Sequence, residues 1–184
     1  MSILHRIYNR LFRKPSKSQI EQLQERGLKL GANNIIHSPD CFDSLYPWLI
    51  EVGDNCMFST EVKVLAHDSS TCFVTDYAKV GRVRIGSNVY LGFRTTVLCN
   101  VTIGDNVIVG ANSLVNKDLA SGGVYAGNPA RYICSIEEYR GKQEALLEHA
   151  PKYEESWRYW ANDASMEERF RMKDELANTC GYIR

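Results

Sequence analysis

None of the six cysteines (Cys41, Cys56, Cys72, Cys99, Cys134 and Cys180) belongs to a C-x-x-C pair. That argues against zinc ribbons and thioredoxin-type redox motifs, and free thiols point to a reduced, cytoplasmic setting. Net charge is also missing, because 22 basic residues balance 22 acidic ones. Without a whole-molecule field there is no general attraction for DNA or RNA, and no nucleic-acid partner is expected. No apolar run approaches the ~20 residues that span a bilayer. The opening residues do not read as a secretory signal, since His5, Arg6, Asn9 and Arg10 interrupt the apolar positions.

What the chain does have is a repeat. In steps of six from Ile85 come Leu91, Val97, Ile103, Val109 and Val115, all aliphatic. Glycine follows four of the six, at Gly86, Gly92, Gly104 and Gly110. The fifth residue of each block is Val89, Thr95, Val101, Val107, Ser113 or Leu119, small or β-branched except for Leu119. Six is a multiple of the strand period and not of the helical one. It describes a short strand and a corner, and three such blocks close a triangular coil whose turns stack ~4.8 Å apart.

Gly-x-Asn triplets support the frame at Gly31–Asn33, Gly53–Asn55, Gly86–Asn88, Gly104–Asn106 and Gly110–Asn112. Glycine and asparagine tolerate the left-handed backbone of tight corners. Glycines 31, 53, 86 and 104 open successive coils, 22, 33 and 18 residues apart, so insertions of 4, 15 and 0 residues interrupt an 18-residue turn. Coil 1 is expected at Leu30–Glu51, coil 2 at Val52–Arg84, coil 3 at Ile85–Thr102 and coil 4 at Ile103–Ala120. A β-sandwich is the competing reading, but sandwiches do not repeat Gly-x-Asn at this spacing.

Both insertions leave from the third block of their coils, and stacking brings them to one corner. The first holds Tyr46, Pro47 and Trp48; the second starts after His67 and fills 68–82. Long loops on a regular scaffold usually carry function. The flanks read as helical: 1–29, with Ile3–Phe12 and a second helix capped by Ser18 or Ser16 and ended by Gly27, and 135–184, with Ile136–His149 and Ser165–Ala177. These helices suit the covering of exposed solenoid ends. The basic segment His5–Lys14 is the place where contact with an anionic membrane surface would occur.

The run Val83–Arg131, including IGSNVYLGFRTTVLCNVTIGDNVIVGANSLVNKDLASGGVYAGNPAR, resembles the hexapeptide-repeat acetyltransferases. It is most similar to the maltose, galactoside and surface-polysaccharide sugar O-acetyltransferases. The resemblance implies a mainly β fold: a single-stranded left-handed parallel β-helix over 30–134, with N- and C-terminal helices. It also implies a homotrimer with sites between subunits, acetyl-CoA as acyl donor, a small-molecule acceptor, and His67 as general base. Ala111, Asn116 and Lys117 match the family's cofactor-binding stretch, and Arg131, after Gly127-Asn128-Pro129-Ala130, matches the arginine at the nucleotide end. Phe93 stands where the family has serine, Asn116 where it has threonine and Cys134 where it has a second basic residue. Carbonic anhydrases share this fold but need three histidines on zinc; coils 2 to 4 hold only His67, so no metal is expected.

A hydroxyl is a poor nucleophile toward a thioester, and a neutral imidazole that takes its proton typically contributes ~10²–10⁴-fold. One ring nitrogen must accept, so the other must donate, to a backbone carbonyl or to a carboxylate such as Asp68. A backbone N–H near Gly92 or Phe93 would stabilise the oxyanion. Gly92, Gly110 and Ala111 are small enough for pantetheine to approach the coil backbone. Asp43, Tyr46 and Trp48, with Asp68, Asp76 and Tyr77, are the residues expected to line an acceptor pocket; Tyr46 and Trp48 suit the packing of the coil 1 bend equally well. Two other functions fit the repeat: a noncatalytic β-helix scaffold, and a nucleotide-sugar N-acyltransferase with a longer acyl donor.

Overall fold

A computed structural model describes residues 17–157 and 164–184. The expected helix at Ile3–Phe12 and the basic segment His5–Lys14 lie outside the described residues. The chain divides into two compact units that meet in sequence between Cys134 and Ser135.

In the first unit the chain visits three parallel sheets in turn. The first face stacks Lys29–Leu30, Ile50–Val52, Val83–Ile85 and Val101–Ile103. The second carries Ile35–Ile36, Met57–Phe58, Val89–Leu91, Val107–Val109 and Gly123–Ala126, with Arg131–Ser135 at its edge, and the third Lys63–Val64, Thr96–Val97 and Leu114–Val115. The register reproduces the glycine spacing. Leu30 pairs with Val52, Val52 with Ile85 and Ile85 with Ile103, steps of 22, 33 and 18 residues. Val64 pairs with Val97 and Val97 with Val115, so the third face shares the frame.

The interior is filled by the residues of the six-residue ladder. Phe58, Leu91, Val97, Val109 and Val115 have no solvent exposure. Burial of such side chains contributes ~1.5–3 kcal/mol each, the main force holding strands this short in place. The fifth positions Thr95 and Ser113 are also buried, and both hydroxyls donate to the Gly110 carbonyl, at 3.1 and 2.6 Å. Small polar residues are tolerated there because the corner supplies an acceptor.

The corners use the left-handed backbone. Asn33, Asn55, Asn88 and Asn106 have φ of 57°, 56°, 58° and 55°. Their side-chain amides form a ladder, each donating to the next at 3.2, 3.3 and 3.1 Å. Those bonds offset the ~1–2 kcal/mol that a non-glycine residue incurs in this conformation.

The stack does not close at Ala120. Ile103 bridges Leu119 and Val109 pairs with Tyr125, a step of 16 that begins a further turn. The six-residue frame misses it because the corner here is shortened, with Gly122 at φ 76°. This also accounts for Leu119: it is a first-face rung stacked on Ile103, not the small fifth residue of a block.

At the start of the unit, helix α1 (Gln19–Glu25) opens on a capping box. Ser18 Oγ accepts from the Glu21 N–H at 3.2 Å, and the Glu21 carboxylate accepts from the Ser18 N–H at 2.6 Å. Leu23 and Leu28 join the core of the coils. Gly27 follows at φ 103°, and a Cβ there would stand 2.8 Å from Trp48 Cβ, so its lack of a side chain lets the Trp48 turn pack.

The second unit holds helix α2 (Ile136–His149), helix α3 (Met166–Glu175) and a parallel pair of strands, Lys152–Tyr153 and Tyr182–Ile183. Ser135 and Ser165 cap the helices with the same serine–glutamate box. Among the described residues no helix is long and apolar enough to cross a membrane.

Candidate active site

Coil 1 and coil 2 meet where both insertions leave. Phe42 bridges Val64, and the Asp43 N–H donates to the Val64 carbonyl at 2.9 Å. This register buries Asp43 directly beneath the Ala66–His67 peptide. Its side chain is only 2 % exposed, while that of His67 is 23 % exposed.

The Asp43 carboxylate is fully engaged. Oδ1 accepts from the N–H groups of Leu45 (2.9 Å) and Tyr46 (3.3 Å). Oδ2 accepts from the Ala66 N–H at 2.9 Å and meets His67 Nδ1. Burial pushes the carboxyl pKa up, but the imidazole and the Leu45 and Ala66 N–H groups outweigh it and hold Asp43 below its ordinary value. An ionised carboxylate only accepts, so the His67 proton must sit on Nδ1. In the neutral imidazole this leaves the lone pair on Nε2, and the Tyr46 ring lies 5.3 Å from the imidazole between centroids. Tyr46 in turn meets Trp48 edge-on at 5.6 Å.

This changes two expected roles. Asp43 does not line an acceptor pocket; it is buried and spent on the imidazole and three backbone groups. Asp68 does not hold the imidazole; its Oδ1 accepts from the Ser70 N–H at 2.9 Å and caps the short 3-10 turn Ser69–Phe73. The signal for Asp43 was present in the 22-residue step, which sets residue 43 beside residue 65.

The long insertion is a hairpin. His67 pairs antiparallel with Val80 and Asp68 with Lys79. Thr71 Oγ1 donates to the Tyr77 carbonyl at 2.7 Å and accepts from the Lys79 N–H at 2.9 Å. Thr75 Oγ1 also donates to the Tyr77 carbonyl, at 3.0 Å. On the return, the Gly81 N–H donates to the Ala66 carbonyl at 2.9 Å. The base of the loop is therefore tied to the peptide that carries His67. Asp76 and Tyr77 are exposed, as is Phe73 at 92 %.

The residues expected to hold the cofactor divide between two corners. Asn116 and Lys117 are exposed at the corner between the third and first faces, two coils on from His67 and on the side away from Asp43. Gly92, Phe93, Gly110 and Ala111 occupy the corner between the second and third faces. One chain thus presents His67 and the Gly92–Ala111 segment across the width of a face.

The Gly92 N–H donates to the Val109 carbonyl at 2.8 Å, so it is not the free oxyanion donor expected from sequence. A Cβ on Gly92 would stand 2.6 Å from Ala111 N, which makes glycine a requirement of coil stacking itself. Gly110 is bounded by Ala126 at 3.0 Å in the same sense. The Phe93 N–H donates to no group among the described residues. Its ring lies under the Arg94 guanidinium at 5.0 Å, and Arg94 pairs with Glu61 at 2.6 Å. Arg131 is exposed, and its Nη1 donates to the Ala130 carbonyl at 3.2 Å. Among the described residues no group of three His, Cys, Asp or Glu side chains could hold a metal ion.

Residues 82–117 match the bacterial transferase hexapeptide family of six repeats. The chain is 38 % identical over 108 residues to YvoF of Bacillus subtilis (strain 168), named as a candidate acetyltransferase, covering 59 % of each. It is 36 % identical over 108 residues to protein CapG of Staphylococcus aureus, covering 56 % of this chain and 61 % of CapG. The chain thus spans about three fifths of the length of these curated relatives. A maltose O-acetyltransferase from Clostridium difficile 630 superposes with a TM-score of 0.46 at 24 % identity, covering 71 % of this chain and 83 % of that one. The hexapeptide segment begins at Arg82, the residue at which the hairpin rejoins the coil, so His67 and Asp43 lie upstream of it.

Proposed function

We propose that the first unit, with its coil domain at 30–134 wound left-handed, is an acetyl-CoA-dependent O-acetyltransferase. Its acceptor is a hydroxyl (or amine) of a small molecule, a sugar or a precursor of a surface polysaccharide, in the cytoplasm. The observation that carries this reading is the His67–Asp43 pair at the foot of the hairpin. A buried carboxylate fixes the proton on Nδ1 and leaves Nε2 to act as base.

In the reaction, Nε2 takes the proton of the acceptor hydroxyl as its oxygen attacks the thioester carbon. The tetrahedral intermediate collapses with loss of the coenzyme A thiolate, which recovers the proton from Nε2. The imidazolium formed in between is stabilised by the Asp43 carboxylate beneath it. No covalent enzyme intermediate is needed, and alignment of the two substrates supplies much of the rate.

The division of residues between two corners supports a homotrimer with sites between subunits. A neighbouring chain would bring its Gly92–Ala111 corner to the His67 corner, with the Phe93 N–H as the oxyanion donor, Lys117 and Arg131 meeting phosphates, and Tyr46, Trp48 and the hairpin facing the acceptor. The resemblance to the hexapeptide-repeat acetyltransferases supports acetyl-CoA as the donor. A noncatalytic scaffold would have no use for a buried carboxylate spent on orienting a half-exposed imidazole. The test is release of free coenzyme A from acetyl-CoA across a panel of sugars, with His67→Ala as control. Turnover should fall ~10²–10⁴-fold in the variant with the oligomer retained. Unchanged turnover would remove His67 from the mechanism.

A further inference from the structure

The cations of the coils are not distributed evenly over the carboxylates. Lys63 pairs with Asp40 and Arg94 with Glu61, one for one. On the first face a single carboxylate, Glu51, receives three cations. Lys29 Nζ lies 3.0 Å and Arg82 Nη2 3.1 Å from Oε1, and Arg84 Nε lies 3.8 Å from Oε2. Lys29 and Arg84 flank Glu51 on the rungs either side of it, because Lys29 pairs with Glu51 and Glu51 with Arg84, while Arg82 ends the hairpin. The next outward position, Thr102, is neutral, and the Asp118 carboxylate beyond it accepts from the Thr102 N–H at 2.7 Å.

Among the described residues the three cations have only this one carboxylate as ion-pair partner, a local excess of two positive charges in a chain whose total is zero. All three side chains are about half exposed or more, whereas Glu51 is 30 % exposed. Like charges gathered around a single carboxylate repel one another, and a scaffold gains nothing from collecting them. Guanidinium groups held at fixed positions do match one ligand chemistry, the paired oxygens of a phosphate or carboxylate. The cluster also stands next to the proposed reaction centre: Arg82 follows Gly81, whose N–H is bonded to Ala66, the neighbour of His67.

We propose that Lys29, Arg82 and Arg84 form a platform on the first face that binds an oxyanion, the phosphate or carboxylate of one of the two transferase substrates. The assignment to a substrate rests on the function proposed above; the binding of an oxyanion does not. Glu51 is the internal counter-ion that holds the three side chains in place and that the ligand partly displaces.

Inorganic pyrophosphate, titrated into the full chain at low ionic strength and followed by equilibrium dialysis, is the direct probe. Saturable binding is expected, weakened about tenfold in the double variant Arg82→Gln/Arg84→Gln by loss of charge-assisted hydrogen bonds. Glu51→Gln should tighten it, the opposite of what a purely structural clamp would give. Absence of saturable binding, or binding indifferent to both variants, overturns the proposal. With turnover in hand, Arg84→Gln separates the sources. A raised KM for an acidic but not a neutral sugar assigns the acceptor, and a raised KM for acetyl-CoA but not its dephospho form assigns the donor. Movement of neither overturns the substrate assignment. A protein that binds pyrophosphate but transfers no acetyl group would sink the proposed function and keep the platform; an active enzyme that binds none would do the reverse.

Discussion

Coils 2 and 3 rest on the same rungs and treat their third corner in opposite ways. Val64 and Val97 are paired and equally buried. After Val97, coil 3 turns the corner in three residues, Leu98, Cys99 and Asn100, with Asn100 at φ 63°. After Val64, coil 2 departs into the hairpin and returns at Gly81, where a Cβ would lie 2.8 Å from Asn100 N. The core demands the same side chains of both coils, because every rung must fill the same narrow prism. The corner carries no such demand, so an insertion there costs little in loop closure and frees residues for chemistry.

The comparison breaks most sharply at the two ends of its range. His67→Ala should abolish most turnover while leaving thermal stability close to that of the parent, as read by coenzyme A release and calorimetry. Leu91→Ala, in the regular coil, should do the converse. It should cost about 2–5 kcal/mol in urea unfolding through the cavity left in the prism, with turnover per folded molecule unchanged.

Asp43→Asn sits between the two, since Asp43 belongs to both the register and the pair. The amide cannot accept as the carboxylate does from His67, Ala66, Leu45 and Tyr46 together. A stability loss of about 1–3 kcal/mol is expected along with a fall in kcat. The pH dependence has a definite sign. The folded-state pKa of Asp43 lies below its unfolded value, so its contribution is present above that unfolded value, ~3.9, and is lost as pH falls through the folded one. Urea midpoints of the parent should therefore decline below about pH 4 more steeply than those of Asp43→Asn. Parallel declines would mean that the buried carboxylate is not ionised. The smallest effect belongs to the ladder: Asn88→Ala should cost about 1 kcal/mol, with turnover intact.

Most of the coil was legible because aliphatic residues every six positions and Gly-x-Asn triplets admit few other structures. The insertions of 4 and 15 residues were equally legible, since they shift a register that glycines mark on both sides. What stayed hidden is what the period does not govern. The further turn at Leu119 and Gly123–Ala126 escaped because its corner is two residues short. Asp68, next to His67 in sequence, looked the natural partner of the imidazole, yet the hairpin turns it toward Ser70. The actual partner arrives from the coil below, 24 positions away. Adjacency in sequence lost to adjacency across rungs, the rule of every stacked fold.

The central claim is that, in the neutral imidazole of His67, Asp43 holds the proton on Nδ1 and leaves Nε2 as the base. Nitrogen chemical shifts of the full chain carrying ¹⁵N-labelled histidine report it directly, with His67→Gln to assign the signal. A protonated Nδ1 shift beside an unprotonated Nε2 shift, exchanged or lost in Asp43→Asn, is the result expected. A proton resident on Nε2, with Nδ1 bare against the carboxylate, would contradict the account.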